Sequence, residues 1–79
     1  MATYRRRDEV SLSTDRAFDT EHAAEAPTPL AGIYRCAGCG REEVSRHGVP
    51  LPPRDHHRHT RSQGAVRWRL VVWADHRPK

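Results

Sequence analysis

Apolar positions concentrate in the second half of the chain, and there they alternate with polar ones at the two-residue period of a half-buried strand. In "AVRWRLVVW" (65–73), a regular strand puts Val66, Trp68, Leu70 and Val72 on one face and Arg67, Arg69, Val71 and Trp73 on the other. "GIYRC" (32–36) alternates in the same way and runs into the glycine-bearing turn "CAGCG", after which "REEVSRH" returns as a second strand. "GVPLPP" (48–53) is a stiff, non-helical connection, because each proline fixes its own φ and drives the residue before it toward extended geometry. The pattern predicts a small, mostly β unit: an antiparallel hairpin with the cysteine turn at its tip, a third strand, and little helix.

Residues 1–29 lack a sustained period of either kind and end in "AEAPTPLAG", whose prolines stop any helix running through. A short helix over "STDRAFDTEHAAEA", capped by Ser13 or Thr14, would bury only Phe18 and alanines, so it is marginal alone. The expectation is a disordered tail, or an extended segment docked through Tyr4 or Phe18, followed by a β domain over 30–79.

Composition adds two constraints. A chain of 79 residues with 35% hydrophobic content has little apolar surface from which to build a self-sufficient core, so a further stabiliser is expected. Charge is uneven: residues 1–29 carry four arginines against six acids, whereas residues 30–79 carry nine arginines and one lysine against four acids. The β domain is therefore basic, as nucleic-acid or other polyanion partners require, although scattered arginines also serve as a solvated surface. "MATYRRRDEV" has no apolar run behind its basic residues, and no stretch approaches the roughly 18–20 apolar residues of a membrane span. A soluble cytoplasmic chain is expected.

Chemistry centres on the two cysteines, Cys36 and Cys39. In a reducing compartment a C-x2-C pair is more often a metal or redox site than a structural disulfide. Two thiolates three residues apart in a glycine turn can meet one ion, with main-chain N–H groups stabilising their charge. The missing ligands are supplied by "DHHRH": His56 and His59 continue the pattern as C-x2-C-x16-H-x2-H, while an extended segment would present His57 and His59 instead. His59 is common to both sets, and the spacing leaves His56 and His57 as alternatives. Thiolate with imidazole in a tetrahedral set selects Zn2+ over magnesium or calcium. Asp55 is a candidate acceptor for the second ring nitrogen of a ligating histidine. The separate His22, His47 and His76 are expected at the surface.

"GIYRCAGCG" followed by "PLPP" resembles a group of short bacterial zinc-ribbon-like proteins with a G-x-Y-x-C-x2-C-G lead-in and a downstream L-P-P. The resemblance spans about residues 32–60. Many such ribbons place two cysteines after L-P-P; aligned on Leu51, Pro52 and Pro53, the first position here is Arg54, which does not ligate, and the second is His57. That alignment supports His57 more than spacing alone does and leaves His56 and His57 as alternatives. It implies a metal-stabilised β fold and no specific activity.

Two functions follow as expectations. The first is a binding module with a structural zinc, engaging a protein or nucleic acid through Arg67, Arg69 and Trp73, since aromatics interleaved with arginine can stack bases and neutralise phosphates. The second is an enzyme, either an open Cys2His zinc site or a C-x-x-C redox pair. No βαβ pattern surrounds the cysteines and the chain is short for a substrate pocket, so the binding module is preferred.

Overall fold

The computed structural model describes residues 1–76. Four strands, β1 (Glu21–Ala23), β2 (Gly32–Cys36), β3 (Glu42–Ser45) and β4 (Arg67–Trp73), form one antiparallel sheet in the order β1-β4-β2-β3. Among the described residues, helix is limited to three single 3-10 turns at Arg7–Glu9, Arg16–Phe18 and Arg61–Gln63. The mostly β reading and the β2–β3 hairpin are as expected, and "RWRLVVW" is the strand that completes the hairpin's other edge.

A fourth strand comes from the stretch read as a tail. β1 pairs with β4 through Glu21–Arg69, His22–Trp68 and Ala23–Arg67. Beyond it the backbone stays docked: Leu51 N–H donates to Ala26 O (2.9 Å), Thr28 N–H to Val49 O (3.0 Å) and Glu25 N–H to Leu51 O (3.2 Å). The prolines that prevent a helix here also leave the chain extended, and "GVPL" opposite is extended for the same reason, so the two segments satisfy each other. Thr28, which is buried, hydrogen-bonds Ser45 Oγ at 2.6 Å. Phe18 packs against the core while Tyr4 is exposed. Asp15 caps the turn before Phe18 by accepting from Ala17 N–H, 2.9 Å.

The core is small, as the composition required: Tyr34, Cys36, Leu51, Val66, Trp68 and Leu70, with Leu30, Phe18 and Trp73 partly buried against it. Tyr34 is fully buried and donates its hydroxyl to Leu30 O at 2.7 Å. Burial pushes its pKa up, and the hydrogen bond to Leu30 opposes that shift. His22, expected at the surface, stands half-buried and edge-on to the Tyr34 ring.

Strand β4 departs from strict alternation. Ile33 pairs with Val72 and Tyr34 with Leu70, so Val71 has no partner on β2 and forms a bulge. The extra residue reverses the alternation beyond it. Trp73, read from a regular strand as facing away from Trp68, instead lies opposite Gly32 on the core face. The outward face then carries an apolar row, Val72–Ile33–Val44, beside a charged row, Glu21–Arg69–Arg35–Glu42.

Candidate metal centre

The hairpin tip holds the two cysteines close together. Cys36 ends β2 facing inward, opposite Trp68, and is 1% exposed. Its N–H donates to Arg41 O (2.7 Å) and its carbonyl accepts from Gly40 N–H (2.8 Å), closing a tight turn. Gly40 takes φ +84°, a value that favours glycine, and this brings Cys39 back beside Cys36.

The histidines arrive from the loop after "PLPP", which is held against the sheet by Leu51 in the core and by Trp68, whose indole N–H donates to Pro52 O at 3.3 Å. His57 and His59 reach the cysteines together. Sγ of Cys36 lies 3.4 Å from His59 Nε2, Sγ of Cys39 lies 3.1 Å from His57 Nε2, and the two Nε2 atoms are 2.9 Å apart. All four donor atoms fall within 4.8 Å of one another. A tetrahedral zinc with the usual bond lengths holds its donors about 3.3–3.8 Å apart, close to this spacing.

The protonation pattern suits the cluster to holding a cation. His59 Nδ1 is 2.7 Å from Gly64 O, a carbonyl that only accepts, so Nδ1 carries the proton and Nε2 presents a bare lone pair. The Cys36 thiol meets two opposing influences. Burial raises its pKa, but main-chain hydrogen bonds from Arg67, Gly38 and Cys39, with His57 beside it, outweigh that and hold it at about 6. Near neutral pH Cys36 is therefore largely a thiolate. Lone pairs converging in this way repel one another unless a cation lies between them, and two sulfurs with two imidazoles fit zinc.

His56 lies outside the four. Its Nδ1 is 3.0 Å from His57 Nδ1 and its Nε2 is 3.2 Å from Glu43 Oε1. Of the two sets left open by spacing, the structure brings together the one with His57. Asp55 does not accept from a ligand ring; the Gly64 carbonyl and the His56 ring stand there instead. Alternation had placed Glu43 on the hairpin without relating it to the site, and the Gly64 carbonyl left no signal because any residue has one.

The three residues read as partner contacts do not share one face: Arg67 and Arg69 are neighbours on the outward side of β4, and Trp73 is on the inward side. The Arg67 guanidinium is occupied by Gln63 O (3.3 Å), Ala65 O (2.9 Å) and Glu21 (3.4 Å), which pins the 61–65 turn. Arg69 is exposed on the outward face, and Trp73 is half-buried on the inward one.

The closeness of the turn and the histidine loop depends on Gly38. A Cβ at this position would lie 2.6 Å from Gln63 O and 2.8 Å from Cε1 of His59. Gly38→Ala is therefore expected to cost about 1–3 kcal/mol, the usual range for forced overpacking. The matching fall in Tm, about 4–8 °C per kcal/mol for a domain of this size, should come with weaker zinc binding in a chelator competition. An unchanged Tm and affinity would show that the loop moves freely away.

Protein L of Escherichia coli is 47% identical to this chain over 66 residues, which cover 82% of this chain and 75% of that protein. The chain belongs to the Protein L family. No protein-family model and no solved structure matches it. For this Protein L relative, chemistry therefore rests on the geometry above. No helix among the described residues is long and apolar enough to cross a membrane.

Proposed function

We propose that this protein is a zinc-stabilised binding module, with Cys36, Cys39, His57 and His59 as ligands and its task carried by its surface. The observation behind the proposal is the convergence of two sulfurs and two Nε2 atoms within 4.8 Å, with the proton of His59 directed away to Gly64 O. Four protein donors make the closed shell of a structural zinc, whereas a catalytic zinc keeps a position for water. The small core supports the same reading, because a metal is a common substitute for apolar burial in domains of this size.

A protein partner fits the outward face better than a nucleic acid. Val72, Ile33 and the 77% exposed Val44 form its apolar row. The neighbouring arginines are largely matched by acids: Arg35 with Glu42 at 3.7 Å and Arg67 with Glu21 at 3.4 Å. Such a face offers contact area without a strong positive field.

The test is metal analysis of untagged protein, with circular dichroism followed during chelation. One zinc per chain and loss of the β signal on chelation are expected; no metal and an unchanged spectrum would overturn the structural-zinc reading. Binding of DNA or RNA at low salt that weakens steeply as salt is added would replace the protein partner by a nucleic acid.

A further inference from the structure

Behind His57 runs a chain of polar groups that ordinary packing does not require. His57 Nδ1 is 3.0 Å from His56 Nδ1, His56 Nε2 is 3.2 Å from Glu43 Oε1, and the same carboxylate oxygen is 3.4 Å from Arg41 Nε. His56 and Glu43 are half-buried, with side-chain exposures of 24% and 30%. The Trp68 ring holds both imidazoles edge-on, its centroid 6.0 Å from that of His56 and 5.7 Å from that of His57.

Only one arrangement of protons satisfies all these contacts with neutral rings. A carboxylate accepts, so His56 Nε2 carries a proton and its Nδ1 is bare. That bare nitrogen accepts from His57, which must therefore be protonated at Nδ1 and bare at Nε2. Nε2 is the atom turned toward Cys39 and His59. The Glu43 charge is thus transmitted through two rings to fix the tautomer and orientation of a metal ligand, and Arg41 holds the carboxylate in place.

We propose that His56 and Glu43 are positioning residues that orient His57 and strengthen it as a ligand, by a carboxylate–histidine–histidine relay. The proposal rests on the zinc reading and adds to it. Outer partners of metal-bound histidines typically contribute about 10–100-fold in affinity. The relay also joins β3 to the histidine loop, so the hairpin and the loop meet at two places: the metal and the Glu43–His56 contact.

The experiment measures zinc affinity by competition with a chromogenic chelator, for the full chain and for variants. His56→Phe keeps a ring against Trp68 but cannot accept, so a loss of about 10–100-fold is expected. His56→Asn puts an amide oxygen near the place of Nδ1 and should recover most of that loss, which a purely packing role would not allow. Glu43→Gln still accepts but lacks the charge and should fall between wild type and His56→Phe. In zinc-loaded wild type labelled with 15N, the His57 ring should carry its proton on Nδ1.

Affinities within about two-fold of wild type for both His56→Phe and Glu43→Gln, well under the expected loss, would overturn the relay. A His57 proton on Nε2 would do the same. If His56→Phe does not fold even with zinc, Glu43→Ala decides by the same two-fold criterion. Wild type that binds no zinc removes the metal reading, and the relay with it; wild type that binds zinc while the variants match it removes the relay alone.

Discussion

Cys36→Ser is expected to carry no tightly bound zinc and to lose its sheet at room temperature. A serine hydroxyl stays protonated near neutral pH and is a poor zinc donor, so the centre drops to three ligands. The site of the loss matters as much as its number. Cys36 is buried at the end of β2 and pairs with Trp68, and its thiolate is already stabilised by main-chain hydrogen bonds. In zinc-finger peptides the metal contributes an apparent 10–16 kcal/mol or so. A domain of this length has a total stability of only about 4–12 kcal/mol. Losing most of the metal term therefore leaves nothing to hold a six-residue core.

Cys39→Ser should be milder. Cys39 is exposed, so on the zinc reading water could take the vacated position and a weakened zinc would remain on Cys36, His57 and His59. The check is zinc content and circular dichroism of both variants beside wild type. A Cys36→Ser protein that keeps the wild-type spectrum and Tm without metal would show that the fold stands on its core alone.

How far the site was legible in the sequence depends on what each feature needed. The Cys/His donor group and the C-x2-C turn were readable because they are local: two thiols three apart with a following glycine can meet one ion. The choice between His56 and His57 was not local. Which of them lies beside the cysteines depends on how the loop after "PLPP" is held against the sheet, by Leu51 in the core and by the indole N–H reaching Pro52 O. The hairpin and β4 were readable from alternation, yet a single bulge at Val71 moved Trp73 to the other face. Alternation assumes an unbroken ladder, and bulges carry no firm mark in one sequence. β1 was missed because its three residues have little apolar pattern; its pairing comes from the unsatisfied edge of β4.

Trp68→Ala is the second substitution expected to have a large effect, and it tests whether core and metal centre form one cooperative unit. Trp68 is fully buried near the start of β4, between His22 on β1 and Cys36 on β2. Truncating a buried tryptophan typically costs about 3–5 kcal/mol, a large share of the stability of a domain this small. The Tm of zinc-saturated protein should fall by roughly 12–40 °C, taking about 4–8 °C per kcal/mol. A loss confined to packing would stop there. Here the same ring backs His56 and His57, and its N–H holds the Pro52 carbonyl at the start of the histidine loop. Removing it frees the loop as well as opening a cavity, so zinc affinity should fall with the Tm. Trp68→Phe separates the two effects, because it keeps an aromatic ring beside the histidines and loses the hydrogen bond to Pro52. It should lose zinc affinity only by the share that the N–H contributes, less than Trp68→Ala loses, at a smaller cost in Tm. If Trp68→Ala lowers the Tm while zinc binds as tightly as in wild type, the histidine loop is positioned without the core. The Leu51 anchor and the Glu43–His56 contact would then have to hold it by themselves.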